Sequence, residues 1–206
     1  MKIVVITNDS LKEELLVQGL QDTVQIDWHN EIEPVPGADG YIDLLFIHSA
    51  ERIDKLKKLQ PTPVYVNSVI DTLDELPTGF IRFNGWNSFV KRQLVEIAGM
   101  EENKVAAEKI FSCFGKITEW VPDVPGFITA RVISTIINEA YFTLEEKVST
   151  KEEIDIAMKL GTNYPYGPFE WGQKIGLKNV YSLLSKLAET NSRYTPSSLL
   201  QKEALV

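Results

Sequence analysis

The chain has 206 residues, 44% apolar and 24% charged, which leaves room for one large domain or two small ones and argues against a disordered, fibrous or membrane-embedded protein. Its 21 basic and 29 acidic residues give a formal charge of −8, so neither nucleic acid nor an acidic membrane is expected as a partner. The lone cysteine, Cys113, excludes an intrachain disulfide; with no apolar run near the ~20 residues of a membrane span and no signal-peptide pattern in MKIVVITNDS, a cytoplasmic protein is expected.

Short β-branched runs at Lys2 to Thr7, Thr23 to Trp28, Tyr41 to Ile47, Thr62 to Asn67 and Gly79 to Asn84 have strand length and are bounded by turn formers. Helical stretches at Leu11 to Leu20 and Ala50 to Leu59 lie between them, an alternation that builds a mainly parallel sheet with crossover helices. A further strand, Gln93 to Gly99, precedes a helix from Glu102 to Phe114. There Ala107, Ile110, Phe111 and Phe114 share one face, and Gly115 is the stop. After a short strand at Ile117 to Val121, the VPDVPG segment reads as a linker. Beyond it the pattern is helical. Val132, Ile133, Ile136, Ile137, Ala140 and Leu144 mark one amphipathic helix, Thr150 with Glu153 forms a capping box that opens a second, and Val180 to Ala188 carries a third. The fold class is α/β: a sheet domain over residues 1–122, then an all-α domain over residues 123–206.

Two histidines, His29 and His48, each follow a predicted strand, where an open α/β sheet presents its binding crevice. His48, at the carboxyl end of LLFIHS, is the candidate base. Trp120, Tyr164 and Trp171 read as core or interface aromatics, Lys91 and Arg92 as solvated charges and Cys113 as a small hydrophobe. No cluster has metal-ligand spacing.

The run Val124 to Leu177 places Pro-Gly-Phe at Pro125 to Phe127, Asn-Glu-Ala at Asn138 to Ala140 and Ile-Asp at Ile154 and Asp155. Met-Lys-Leu-Gly follows at Met158 to Gly161 and Gly-Pro-Phe-Glu at Gly167 to Glu170. In that register it resembles the helical C-terminal domain of the 3-hydroxyacyl-CoA dehydrogenase family. The resemblance implies a condensed Rossmann-like first domain, an NAD cofactor, an acyl-CoA substrate within fatty acid metabolism and a homodimer formed through the helical domain. It also aligns FNGWNSFVKRQLVEI with the family's catalytic stretch. Glu96 then falls on the catalytic glutamate, while Asn84 stands where the family has its histidine base. Asn67, Ser68 and Asn87 match substrate-binding positions, whereas Ala130 and Val69 replace polar contacts.

An amide cannot take a proton as the histidine does, although Asn84 can hydrogen-bond a hydroxyl or thioester oxygen. At the phosphate-binding turn Thr7, Asp9 and Lys12 stand where a Rossmann site needs glycines, and Ser10 with Glu13 reads as a capping box that claims the free N–H groups. Asp27 is placed at the end of the second strand, where a ribose-binding acid often stands. The expected function is therefore a 3-hydroxyacyl-CoA dehydrogenase-like pseudoenzyme with lost or reduced hydride transfer, which retains acyl-CoA or partner binding. The alternative is an active NAD-dependent oxidoreductase with His48 as a relocated base.

Overall fold

The computed structural model describes residues 1–206. Strands β1 (Lys2–Ile6), β2 (Gln25–His29), β3 (Gly40–Asp43), β4 (Val64–Val66), β5 (Phe80–Phe83), β6 (Leu94–Ala98) and β7 (Ile117–Trp120) form one sheet, ordered β2-β1-β3-β4-β5-β6-β7. Every neighbouring pair is parallel except β5 and β6, which run antiparallel with Arg82 opposite Ala98. The connection from Asn84 to Gln93 is too short for a helical crossover, which takes about a dozen residues. Helices α1 (Asp9–Leu16), α2 (Ala50–Lys57) and α3 (Lys104–Ser112) cover the sheet.

β1 is apolar throughout because both of its faces are covered. Ile3 and Val5 pack with Leu11, Leu15, Ile110 and Phe111 on one side, while Val4 and Ile6 pack with Leu56, Leu59 and Leu76 on the other. The strand order reverses between β1 and β3, and in such sheets the crevice at the carboxyl ends of the strands there receives ligands.

Several elements are shorter than the sequence pattern predicts. β3 stops at Asp43 and does not run on to Ile47, because the Asp43 carboxylate accepts the Leu45 N–H at 3.0 Å and turns the chain. α1 ends at Leu16 and not Leu20, as Gly19 takes φ +95°. α3 ends before Gly115, whose φ of +64° and close approach to the Gln18 carbonyl leave no room for a Cβ.

The chain divides into two compact units, Met1–Phe127 and Ile128–Val206. The break falls later than the 122/123 position read from the sequence. Residues 123–127 are bonded to the sheet unit, with the Gly126 N–H on the Val69 carbonyl at 2.7 Å and Asp123 paired to Arg82.

The second unit holds α4 (Thr129–Glu145), α5 (Lys151–Thr162), α6 (Pro168–Ile175), α7 (Leu177–Ala188) and α8 (Ser198–Ala204). α4 buries Ile133, Ile137, Ala140 and Tyr141, and the Thr150/Glu153 capping box opens α5. Val132 and Ile136 do not reach that core. With Val148, Ile154, Ala157 and Met158 they line an open groove of about 670 Å³. No helix is long and apolar enough to cross a membrane.

Candidate functional site

Asn84 leaves the end of β5 beside Glu96 of β6, and its backbone N–H donates to the Glu96 carbonyl at 2.9 Å. Its side-chain Nδ2 donates to Glu96 Oε2 at 2.9 Å, with both residues buried. The two positions that the resemblance singles out are therefore partners. Asn67 lies alongside. Its Oδ1 accepts the Gly85 N–H at 2.9 Å and its Nδ2 donates to the Leu44 carbonyl at 3.1 Å, so the amide bridges two strand ends. Ser68 is buried, with its hydroxyl turned back onto the Asp71 carbonyl at 3.0 Å. Asn87 is half-buried, and the neighbouring Trp86 and Phe89 are buried. Val69 and Ala130 are interior positions.

The turn that carries Asn87 is gripped from α1 and from Lys116, just before β7. Ser88 holds φ +73°, an unusual value for a residue with a Cβ, and its N–H is held by both Glu14 oxygens at 3.0 and 2.7 Å. Gln18 donates to the Lys91 carbonyl at 2.9 Å, and the buried Lys116 ammonium donates to the carbonyls of Val90 and Arg92. Burial pushes the Lys116 amine down to about 8, and Glu14 partly offsets that. The unfolded chain, with an ordinary lysine near 10.4, binds more protons than the folded one between about pH 8 and 10.4, so this group adds stability as pH rises through that window. Urea unfolding from pH 7 to 10.5 should show that rise in the parent protein and lose it in Lys116→Met. Parallel pH curves for the two proteins would contradict the assignment.

His48 is exposed and does not join Glu96. Its Nδ1 lies 3.1 Å from Asp71 Oδ2, so the structure holds two separate pairs, Asn84 with Glu96 and His48 with Asp71. Asp71 was missed in the sequence because nothing local marks it; the β3 and β4 loops bring the pair together. The Asp43–Arg52 pair was missed for the same reason. Asp43 is fully buried at the end of β3 and takes the Arg52 guanidinium on both oxygens at 2.7 and 2.6 Å. Desolvation pushes the Asp43 carboxyl above its ordinary value, with Arg52 pulling it back. His29 ends β2, and its carbonyl accepts the Thr7 N–H.

The residues at the phosphate-binding turn do not fit a dinucleotide. Asn8, not Ser10, caps α1, accepting the Leu11 N–H at 3.0 Å, because the chain leaves β1 and enters the helix at once. Asp9 adds a negative charge in the first turn, and no residue from Thr7 to Lys12 has the positive φ of a glycine cradle. Lys12 lies over the Trp28 ring, 4.7 Å from its centre. Asp27 is mid-strand in β2 and not at its end; Lys2 pairs with it at 3.1 Å and lowers its pKa, so it does not face the crevice as a free ribose acid.

Other residues keep structural roles. Cys113 is buried, and desolvation raises its thiol pKa. Arg92 stacks on Phe89 at 4.6 Å, and Trp171 is buried with Tyr164 at its edge, 5.4 Å away between ring centres.

In the helical unit, the recurring motifs meet one another. Asp155 accepts the N–H groups of Phe169 and Glu170 at 2.8 and 3.2 Å, which caps α6 from outside because Gly167 at the cap position has no side chain. Glu170 returns a carboxylate to the Gly167 N–H at 3.0 Å and pairs with Lys159. Asn138 accepts the Ser197 N–H and donates to the Thr195 carbonyl, which fixes the approach to α8. This constellation coincides with the sequence profile described as "3-hydroxyacyl-CoA dehydrogenase, C-terminal domain", which matches residues 126–205. The helical unit thus matches the C-terminal domain of 3-hydroxyacyl-CoA dehydrogenases.

The chain is 42% identical over 94 residues to 3-hydroxyadipyl-CoA dehydrogenase of Escherichia coli K12, covering 45% of this chain and 20% of that protein. It is 37% identical over 132 residues to 3-hydroxybutyryl-CoA dehydrogenase of Bradyrhizobium diazoefficiens, covering 61% of this chain and 45% of that one. The chain thus spans less than half the length of either relative. The crystal structure of (S)-3-hydroxybutyryl-CoA dehydrogenase from Ralstonia eutropha matches with a TM-score of 0.77 over 98% of this chain and 92% of that chain, at 17% identity. That likeness shows the Rossmann-like α/β fold.

Proposed function

We propose that this chain is a 3-hydroxyacyl-CoA dehydrogenase-like protein with much reduced hydride transfer, which retains a binding site for an acyl-CoA thioester. The observation that carries this reading is the Asn84 amide seated on Glu96, where the family pattern calls for an imidazole. The carboxylate is held by a group that donates a hydrogen bond and cannot accept a proton from a hydroxyl. The capped start of α1 supports the same reading on the nucleotide side. Acyl-CoA binding is supported by the names of the relatives, which act on 3-hydroxyadipyl-CoA and 3-hydroxybutyryl-CoA.

Calorimetric titration with NADH and, separately, with acetoacetyl-CoA tests both halves. The expected result is binding of the thioester and silence toward NADH. Micromolar NADH binding would overturn the first half, and silence toward both would leave a fold kept for assembly.

The exposed apolar side of α4 supports the homodimer: Val132 and Ile136 face an open groove and not the core of their own unit. A light-scattering mass of one chain would contradict it. The reducing, cytoplasmic setting rests on the single buried thiol.

A second reading has its own observation. Asp71 on Nδ1 of the exposed His48 is the arrangement that orients an imidazole to exchange a proton through Nε2, as an active oxidoreductase with a relocated base requires. Under that reading, reduction of the 3-oxo group of acetoacetyl-CoA with NADH would fall on substituting His48 and not on substituting Glu96.

A further inference from the structure

Arg82 sits in mid-sheet on β5 and has no exposed surface. A buried cation is costly unless every donor finds an acceptor, and here the acceptors come from two separate loops. Nε donates to the Ser68 carbonyl at 2.9 Å and Nη2 to the Val69 carbonyl at 3.2 Å, both in the loop after β4. Nη1 pairs with Asp123 at 2.5 Å, and Nη2 also reaches the Val124 carbonyl at 3.2 Å, both in the strap after β7. The guanidinium lies over the Phe127 ring, 4.1 Å from its centre, and the strap bends there through positive φ values at Gly126 and Phe127. Asp123 closes the circuit by accepting the Leu73 N–H at 2.9 Å, and the Gly126 N–H returns to Val69.

The loop held in this way is the one that bears the candidate site. Asn67 reaches from it to Gly85, beside Asn84, and Asp71 reaches from it to His48. Arg82 grips the loop by backbone carbonyls lying between those two side chains.

We infer that Arg82 is the positioning residue of the candidate ligand site: by clamping the carbonyls of Ser68 and Val69 against Asp123, it fixes where Asn67 and Asp71 present their side chains. The inference deepens the binding reading above and rests on it for the identity of the ligand. The clamp itself can be tested without any ligand.

His29 and His48 are the only histidines, so carbethoxylation by diethyl pyrocarbonate reports on each separately by peptide mass spectrometry. Asp71→Ala sets the rate for a released His48 ring. In Arg82→Met, which keeps the volume and removes the charge, His48 should react about threefold faster or more, approaching the Asp71→Ala rate, with His29 unchanged. Arg82→Lys should bring the His48 rate back toward the parent value. An unchanged His48 rate, or parallel increases at both histidines, would overturn the inference, since general loosening has no preference between the two rings. If Arg82→Met does not fold, Asp123→Asn is judged by the same criterion.

Acetoacetyl-CoA titration of the same variants supplies the second arm. A folded Arg82→Met should bind about tenfold more weakly than the parent, and equal affinity would overturn the inference. A parent protein that binds no thioester would sink the ligand assignment alone, leaving the histidine arm to decide the clamp.

Discussion

Arg52→Ala should lower the stability of the sheet unit by about 3–5 kcal/mol, the cost of breaking a buried ion pair from one side. Asp43 keeps its place at the end of β3 with no exposed surface, and its two oxygens lose the guanidinium that now satisfies them. The Leu45 N–H remains, which is too little for a buried charge. Desolvation already raises the Asp43 carboxyl, and without Arg52 it rises further above its unfolded value near 3.9. A carboxyl whose folded pKa is raised contributes stability at low pH and loses it as pH increases through the folded pKa. The deficit of Arg52→Ala against the parent should therefore shrink on acidification from neutral pH toward 5. Denaturant melts at the two pH values measure this, and adding Asp43→Asn should recover part of the loss at neutral pH. A deficit that stays constant with pH would mean that Asp43 is not the group left behind.

Gly167→Ala should cost the helical unit about 2–4 kcal/mol, although its φ of −74° suits any residue. A Cβ there would overlap Oδ1, Cγ and Cβ of Asp155. A clash reaching back to the Asp155 Cβ cannot be relieved by rotating the carboxylate alone, so Asp155 must leave the N–H groups of Phe169 and Glu170. The first turn of α6 then has a methyl group where it had an external cap. Loss of far-UV circular dichroism at lower temperature would register it, and Asp155→Ala should reproduce the cap-loss part alone. A melting temperature within a degree or so of the parent would refute this account of the motif.

That motif was legible as letters before it was legible as structure. Asn138, Asp155, Lys159, Gly167 and Glu170 identify the family by their spacing, and their chemistry in place is helix capping and pairing within the helical unit. The site pair was legible too. The ungapped FNGWNSFVKRQLVEI stretch set Asn84 and Glu96 in register, and an antiparallel β5–β6 pair joined by one turn is local enough for spacing to imply contact. The cap of α1 was misplaced by two residues because Asn8 and Ser10 are both good caps, and only the end of the β1 ladder at Thr7 selects between them.

By itself the sequence determined the α/β-then-α order, the seven strands, six of the eight helices, the resemblance carried by the helical unit and the missing glycines and histidine. These follow from composition, periodicity and short-range spacing, which a linear chain states directly. Only the tertiary structure decided that His48 belongs to Asp71 and not to Glu96, that Asp43 is locked to Arg52, and that Arg82 ties the β4 loop to the strap after β7. Charged residues read in isolation are solvated surface by default. Burial turns them into obligatory pairs, and which charges meet is fixed by sheet order and loop path, which no local pattern encodes.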